Sequence, residues 1–179
     1  MKKYSIEVAG VKRELPIIRI NDKLSIASFV IIGDTEIICA CAKEIVKIMP
    51  DVDILITAEA KGISLTFEMS RLLNMKKYIV ARKSIKPYME SPIIDEVVSI
   101  TTQKKQVLVL DKKDALELKG KRVAIIDDVI STGESLLAIE RLVKAAGGIV
   151  TAKAAILAEG KASKRNDIIF LESLPIFEE

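Results

Sequence analysis

The chain has 179 residues, half of them apolar, with 28 lysines and arginines, 25 aspartates and glutamates, and no histidine. Lacking histidine, it can build no Ser-His-Asp triad, Cys-His pair or histidine metal site; proton transfer falls to carboxylate, lysine, tyrosine or water, and any metal must be held by oxygen. A net charge of +3 from scattered lysines gives no nucleic-acid footprint, and no apolar run is long enough to span a bilayer.

Met1 to Tyr4 passes straight into polar alternation, without the apolar region of a signal peptide, so a cytoplasmic setting is expected. Ser5 to Ile20 alternates across a turn near Gly10, which reads as a small hairpin. Helical spacing runs from Glu36 to Met49. Cys39 and Cys41 within it suit neither a disulfide framework nor zinc, and are expected to be reduced core residues. Val52 to Thr57 is a β-rich apolar run, Ile63 to Leu73 has helical spacing, and Tyr78 to Ala81 is a second strand. The polar stretch from Ser84 to Lys105 is long enough to suggest a lid, or else an exposed hairpin of residues 93–100 and 106–110. Val107 to Leu110 and Val123 to Ile126 are further strands. The helix of residues 135–146 closes at Gly147-Gly148, and Ile149 to Leu157 is the next strand. This alternation predicts an α/β fold, a parallel sheet with helices on both faces, in a single domain of residues 1–179.

In open parallel sheets, ligands bind at the carboxyl ends of the strands. Three predicted loops there carry chemistry. Val123 to Ile126 runs into Asp127-Asp128, then Ser131-Thr132-Gly133 and a helix start at Glu134-Ser135. Strand, loop and helix N-terminus in that order cradles a phosphate on free amides. Carboxylates repel a bare phosphate, so the acidic pair must serve something beside it, such as sugar hydroxyls or a metal. A plain structural alternative is a charged turn before a helix capped by Thr132 or Ser131. The second loop reads Glu59-Ala60-Lys61-Gly62, with a cation and a glycine at a helix start. The third begins Arg82-Lys83, two cations placed to grip an anion.

Residues 123–135 resemble the phosphoribosyl-pyrophosphate signature of the type I phosphoribosyltransferases: apolar strand, Asp-Asp, two apolar residues, then small-Thr-Gly. That resemblance implies a small N-terminal hood with a base-pocket contribution from residues 1–32, and a flexible lid at residues 84–105. It implies attack of a purine nitrogen on phosphoribosyl pyrophosphate, with Asp127, Asp128, Lys61 and Arg82 catalytic. Asp127 and Asp128 would hold the ribose hydroxyls, and Ser131, Thr132, Gly133, Glu134 and Ser135 the 5′-phosphate. Glu59, Ala60, Lys61, Gly62, Arg82 and Lys83 would surround the pyrophosphate, and Lys86, Tyr88 and Thr101 belong to the lid. Magnesium would be bound mainly through the substrate, with no protein side chain assigned as ligand, and the chain would be a homodimer.

Adenine is the expected base. Ala-Glu-Ala-Lys-Gly and Ala-Arg-Lys resemble the adenine branch, and Ser131 stands where hypoxanthine-guanine enzymes usually have aspartate. Against it, Ser99 to Gln103 resembles the xanthine branch's lid, so xanthine and hypoxanthine-guanine activities are the alternatives. Phe29 or Ile31 could stack on the base, although core packing is the favoured role for both. A regulator that binds the same ligand without catalysis is the alternative of another class.

Overall fold

The computed structural model describes residues 2–97 and 106–178. In chain order it contains β1 (Lys3–Val8), β2 (Val11–Asn21), β3 (Leu24–Ala27), α1 (Thr35–Ile48), β4 (Ile54–Ala58), α2 (Ile63–Leu72) and β5 (Ile79–Ala81). There follow β6 (Ile93–Val97), β7 (Gln106–Leu110), α3 (Lys112–Leu118), β8 (Arg122–Ile130), α4 (Glu134–Ala145), β9 (Ile149–Glu159), β10 (Ile169–Leu174) and β11 (Ile176–Glu178).

Five strands form a parallel sheet in the order β10-β9-β8-β4-β5. Its central strand shows why the apolar run at 123–126 is unbroken. Ala124 and Ile126 face one cluster with Ile37, Ile45, Leu65 and Met69 of α1 and α2. Val123 and Ile125 face the other, with Leu118 of α3 and Leu136, Ile139 and Leu142 of α4. Burial on both faces removes the alternation of a half-exposed strand.

β8 does not stop at Ile126, as the carboxylates suggested. It continues through both aspartates to Ile130, because β9 is long enough to keep pairing with it, Asp127 opposite Ala155 and Ile130 opposite Ala158. The acidic pair is therefore fixed by a β-ladder on a rigid element. Asp128 is 1% exposed.

The expected N-terminal hairpin is present as β1 and β2, and it is part of a larger hood. Its antiparallel sheet runs β1-β2-β3-β11, so the far end of the chain supplies the last strand, Ile176 opposite Ile26. Phe29 and Ile31 lie in the main core at 5% and 0% exposure, so core packing accounts for them and base stacking is dropped. Cys41 is buried and Cys39 half-buried, both unpaired as expected, and burial pushes the Cys41 thiol up to about 12.

The hairpin reading of the lid holds where residues are described: β6 and β7 pair antiparallel, Ile93 opposite Leu110. α4 holds this hairpin through Arg141, whose Nε and Nη2 donate to the Asp95 carboxylate at 2.9 and 2.6 Å. Lys86 and Tyr88 lie in the turns before β6, with Lys113 Nζ 5.5 Å from the exposed Tyr88 ring. Thr101 falls outside the described residues.

Candidate active site

The carboxyl ends of β4, β5 and β8 bring the three loops together. A cavity of about 190 Å³ is lined by Glu59, Ala60, Lys61, Lys83, Asp127 and Asp128, among others. A second, about 120 Å³, follows the loop from Val129 to Leu136 and shares Asp127, Val129 and Ser135 with the first.

Gly62 sets how closely two of these loops meet. A Cβ there would collide with Thr57 Oγ1 and sit 3.3 Å from the Ile126 carbonyl and 3.4 Å from Asp127 Cα. The glycine therefore lets the start of α2 press against β8; it serves chain-to-chain approach as well as any ligand. Lys61, one residue earlier, is thereby placed with Nζ 2.8 Å from Asp128 Oδ2. That oxygen is buried and has no hydrogen bond of acceptable direction despite the nearby ammonium. Ser64 Oγ and Arg82 Nε are likewise buried without hydrogen-bond partners among the described residues. Buried polar groups are nearly always partnered, and these three lie on β8, at the start of α2 and just after β5, the segments gathered here.

Glu59, expected beside the pyrophosphate, lines the cavity and also joins two of the loops. Its Oε2 accepts from the Lys83 amide at 2.9 Å, and its Oε1 lies 3.2 Å from Arg82 Nη2. The amide, followed by the Arg82 charge, holds its pKa below the usual carboxylate range against the effect of burial. It clamps the second loop to the third. Arg82 stands behind this clamp, bridged to Val109 by two backbone bonds of 2.8 Å, and does not line the cavity, whereas Lys83 does.

Asp127 accepts a hydrogen bond from the Asp128 amide at 2.9 Å. Burial, and then the neighbouring Asp128 charge, push its pKa up to about 7. At the other end, α4 has no side-chain cap. Gly133, in the left-handed region at φ 83°, is the N-cap residue, so the cap from Thr132 or Ser131 that the plain structural alternative required is absent. Thr132 Oγ1 lies 3.5 Å from the Glu134 amide, a marginal contact. The first amides of α4 are thus left for an anion.

Among the described residues no three of His, Cys, Asp and Glu converge as a metal site. The donors available are oxygens, and Asp128 Oδ2 is already ion-paired with Lys61, an arrangement that suits magnesium bound mostly through another ligand.

Comparison with known proteins agrees with this geometry. Residues 35–174 match the family model described as phosphoribosyl transferase domain. The chain belongs to that family. It is 34% identical over 125 residues to a hypoxanthine/guanine phosphoribosyltransferase of Methanocaldococcus sp. (strain FS406-22), covering 69% of this chain and 60% of that protein. It is 30% identical over 126 residues to an adenine phosphoribosyltransferase of Fervidobacterium nodosum, covering 70% of this chain and 69% of the relative. The fold matches the crystal structure of the Thermoanaerobacter pseudethanolicus adenine phosphoribosyltransferase with a TM-score of 0.72 at 22% identity, covering 89% of this chain and 95% of that one. The Trypanosoma brucei adenine enzyme in complex with AMP, pyrophosphate and ribose-5-phosphate matches with a TM-score of 0.62 at 18% identity, covering 80% and 67%.

Within this phosphoribosyl transferase domain, sequence reasoning missed a larger opening. A cavity of about 690 Å³ lies between Ser131-Thr132, Glu159 at the end of β9, and Pro175-Ile176 of the hood. Glu159 and Ile176 come close because β10 pairs with β9, Leu174 opposite Glu159, just before the chain enters β11, a register that local pattern does not carry.

Proposed function

We propose that this chain is a purine phosphoribosyltransferase, converting adenine and phosphoribosyl pyrophosphate to AMP and pyrophosphate. The observation that carries the reading is the side-by-side placement of a cationic loop, an acidic pair and an uncapped helix start at one sheet edge. A scaffold would have no use for that sequence of charges. The 5′-phosphate goes to the amides of residues 132–135, the ribose hydroxyls to Asp127 and Asp128, and the diphosphate to Lys61, Lys83 and the amides after Glu59. Arg82 reaches the diphosphate only after releasing Glu59.

The base nitrogen forms its bond to the anomeric carbon as the bond to diphosphate breaks; the diphosphate leaves with the electron pair, and the proton lost by the purine ring passes to the departing diphosphate or to water. Charge grows on the leaving group, where Lys61 and Lys83 offset it, and on the sugar, where the carboxylates do. Magnesium, when bound with the diphosphate, neutralises part of its charge. The loops act by positioning.

The base is assigned to the 690 Å³ cavity beside Ser131 and Thr132. Glu159 is half-buried there, while Lys161 and Lys164 are exposed on its rim. A carboxylate accepts from the exocyclic amine of adenine and repels the ring carbonyl of a 6-oxopurine. Relatives named for hypoxanthine and guanine keep that pair as the second reading. A homodimer in the cytoplasm completes the proposal. Ile48 and Phe67, more than half exposed on α1 and α2, offer apolar surface for a second copy. Among the described residues no helix is long and apolar enough to cross a membrane.

The test is a base panel: adenine, hypoxanthine, guanine, xanthine and uracil, each with phosphoribosyl pyrophosphate and magnesium, scored by pyrophosphate release. Adenine is expected to give the highest kcat/KM. Release with none of the five would remove the enzymatic reading in favour of a ligand-binding regulator.

A further inference from the structure

The cavity of the phosphate loop has no basic residue in its lining, and it holds two carboxylates, Asp127 and Glu134. A phosphate placed there meets amide dipoles, which favour it, and two negative charges, which do not. Some fixed cation must offset them. Lys61 and Lys83 line the other cavity.

Arg165 lines the 690 Å³ cavity with Ser131 and Thr132 and stands against the loop from there. A Cβ built on Gly133 would lie 2.7 Å from Arg165 Nη1, so the guanidinium rests on the backbone of the residue that caps α4. Its direction is fixed. Nε and Nη2 donate to the two oxygens of Asp167 at 2.8 Å each, leaving Nη1 as the end that reaches the loop. Asp167 is held in turn by Lys153 Nζ at 2.7 Å, and Lys153 lies 3.6 Å from Glu140 on α4 itself. The chain Glu140–Lys153–Asp167–Arg165 therefore begins on α4 and ends on the loop that starts it. Lys153 and Glu140 have side chains 17% and 19% exposed, while those of Arg165 and Asp167 are 28% and 46% exposed, so solvent partly screens the end of the relay that reaches the loop.

We infer that Arg165 is a positioning residue for the 5′-phosphate, supplying the loop's positive charge across Gly133 and holding its amides in place. The inference rests on the phosphoribosyl reading of the site. Neutralising Arg165 removes attraction for the anion in ground and transition states alike, so KM changes more than kcat. A forked guanidinium is needed for the Asp167 bond, whereas a lysine keeps charge with less direction.

Arg165→Gln and Arg165→Lys can be compared with the parent chain by calorimetric titration with ribose 5-phosphate and, separately, with pyrophosphate and magnesium. Arg165→Gln should weaken ribose 5-phosphate by on the order of tenfold, the effect of one partly screened charge, and leave pyrophosphate affinity unchanged. Arg165→Lys should recover part of the loss, and KM for phosphoribosyl pyrophosphate should follow the same order with kcat within about twofold. Equal ribose 5-phosphate binding by Arg165→Gln and parent overturns the inference. Equal loss of both ligands, with no rescue by lysine, overturns it too and makes Arg165 a structural residue. A parent chain that binds neither ligand removes the phosphoribosyl reading itself.

Discussion

Lys61 Nζ lies 2.8 Å from Asp128 Oδ2, an ion pair between a half-exposed cation and a buried carboxylate. The two residues proposed to hold adjoining parts of one substrate are already engaged with each other. Substrate must exchange this pair for two new contacts, diphosphate for the lysine and ribose hydroxyl for the aspartate. A second internal pair, Arg82 with Glu59, guards the neighbouring loop. Both cationic loops are thus held in place before the anion arrives, which lowers the ordering cost of binding.

Replacing both aspartates, Asp127→Asn with Asp128→Asn, should preserve the fold and abolish most turnover. Each charge-assisted bond to a ribose hydroxyl is worth about 1.5–3 kcal/mol, so the pair should cost a hundredfold or more in kcat/KM, roughly. Circular dichroism checks the fold and pyrophosphate release checks the activity. Near-parental kcat/KM in the double variant would show that the acidic pair does not hold the sugar.

The position of the acidic pair was legible, since four apolar residues announce the strand and the two carboxylates follow them directly. That the strand carries on beneath the carboxylates was not, because the pairing of Asp127 with Ala155 depends on the length of β9. Glu59 illustrates another limit. Its identity as a carboxylate in an anion loop was visible, yet its role depends on Lys83 and Arg82, which a separate strand brings beside it. Arg165 sits in a polar run, Ser163 to Asp167, that reads as surface turn. Only the fold places it against Gly133. Local pattern reports what an element is made of; partners from distant strands decide what its polar groups do.

Asp127 gives a pH signature. Its folded pKa is raised from 3.8 to about 7 by burial and by Asp128. Between those values the folded state binds more protons than the unfolded state, so this group's contribution to stability falls as pH rises. The loss begins near the unfolded value and is complete above the folded one. Depressed carboxylates such as Asp53, held down to about 2 by Arg122, act in the opposite sense and at lower pH. The difference in Tm between Asp127→Asn and the parent isolates the single group: it should grow in favour of the variant from about pH 4 to about pH 7, then level off. A difference that stays flat across that range would mean Asp127 ionises as an ordinary surface carboxylate.

Gly62→Ala tests how the loops are packed. The added methyl meets Thr57 Oγ1 and the Ile126 backbone, neither of which can withdraw far from the central sheet. Overpacking of this kind typically costs about 1–3 kcal/mol, and relief by moving the start of α2 would draw Lys61 away from Asp128. Lower Tm together with weaker pyrophosphate binding is expected. A variant with parental values for both would show that the loop accommodates the methyl without displacing Lys61.

Base choice can be tested at two positions that line the same cavity, Ser131 and Glu159. Ser131 is neutral and takes up no proton at neutral pH, so a 6-oxopurine receives none of the assistance that an aspartate there would give to its imidazole edge. Glu159 accepts from an amine and repels a carbonyl. Both features lean toward adenine, and each can be reversed by one substitution. Ser131→Asp should narrow the preference for adenine over hypoxanthine in kcat/KM, although a further carboxylate beside the phosphate loop should lower activity on both bases. Glu159→Gln should narrow it without that general loss, because the amide offers a donor to the 6-carbonyl and sets no charge against the phosphate. Competition assays with adenine and hypoxanthine at equal concentration measure the ratio directly. A parent enzyme that selects hypoxanthine would assign the chain to the second reading, and a ratio unmoved by Glu159→Gln would place the purine's six-membered edge elsewhere in the cavity.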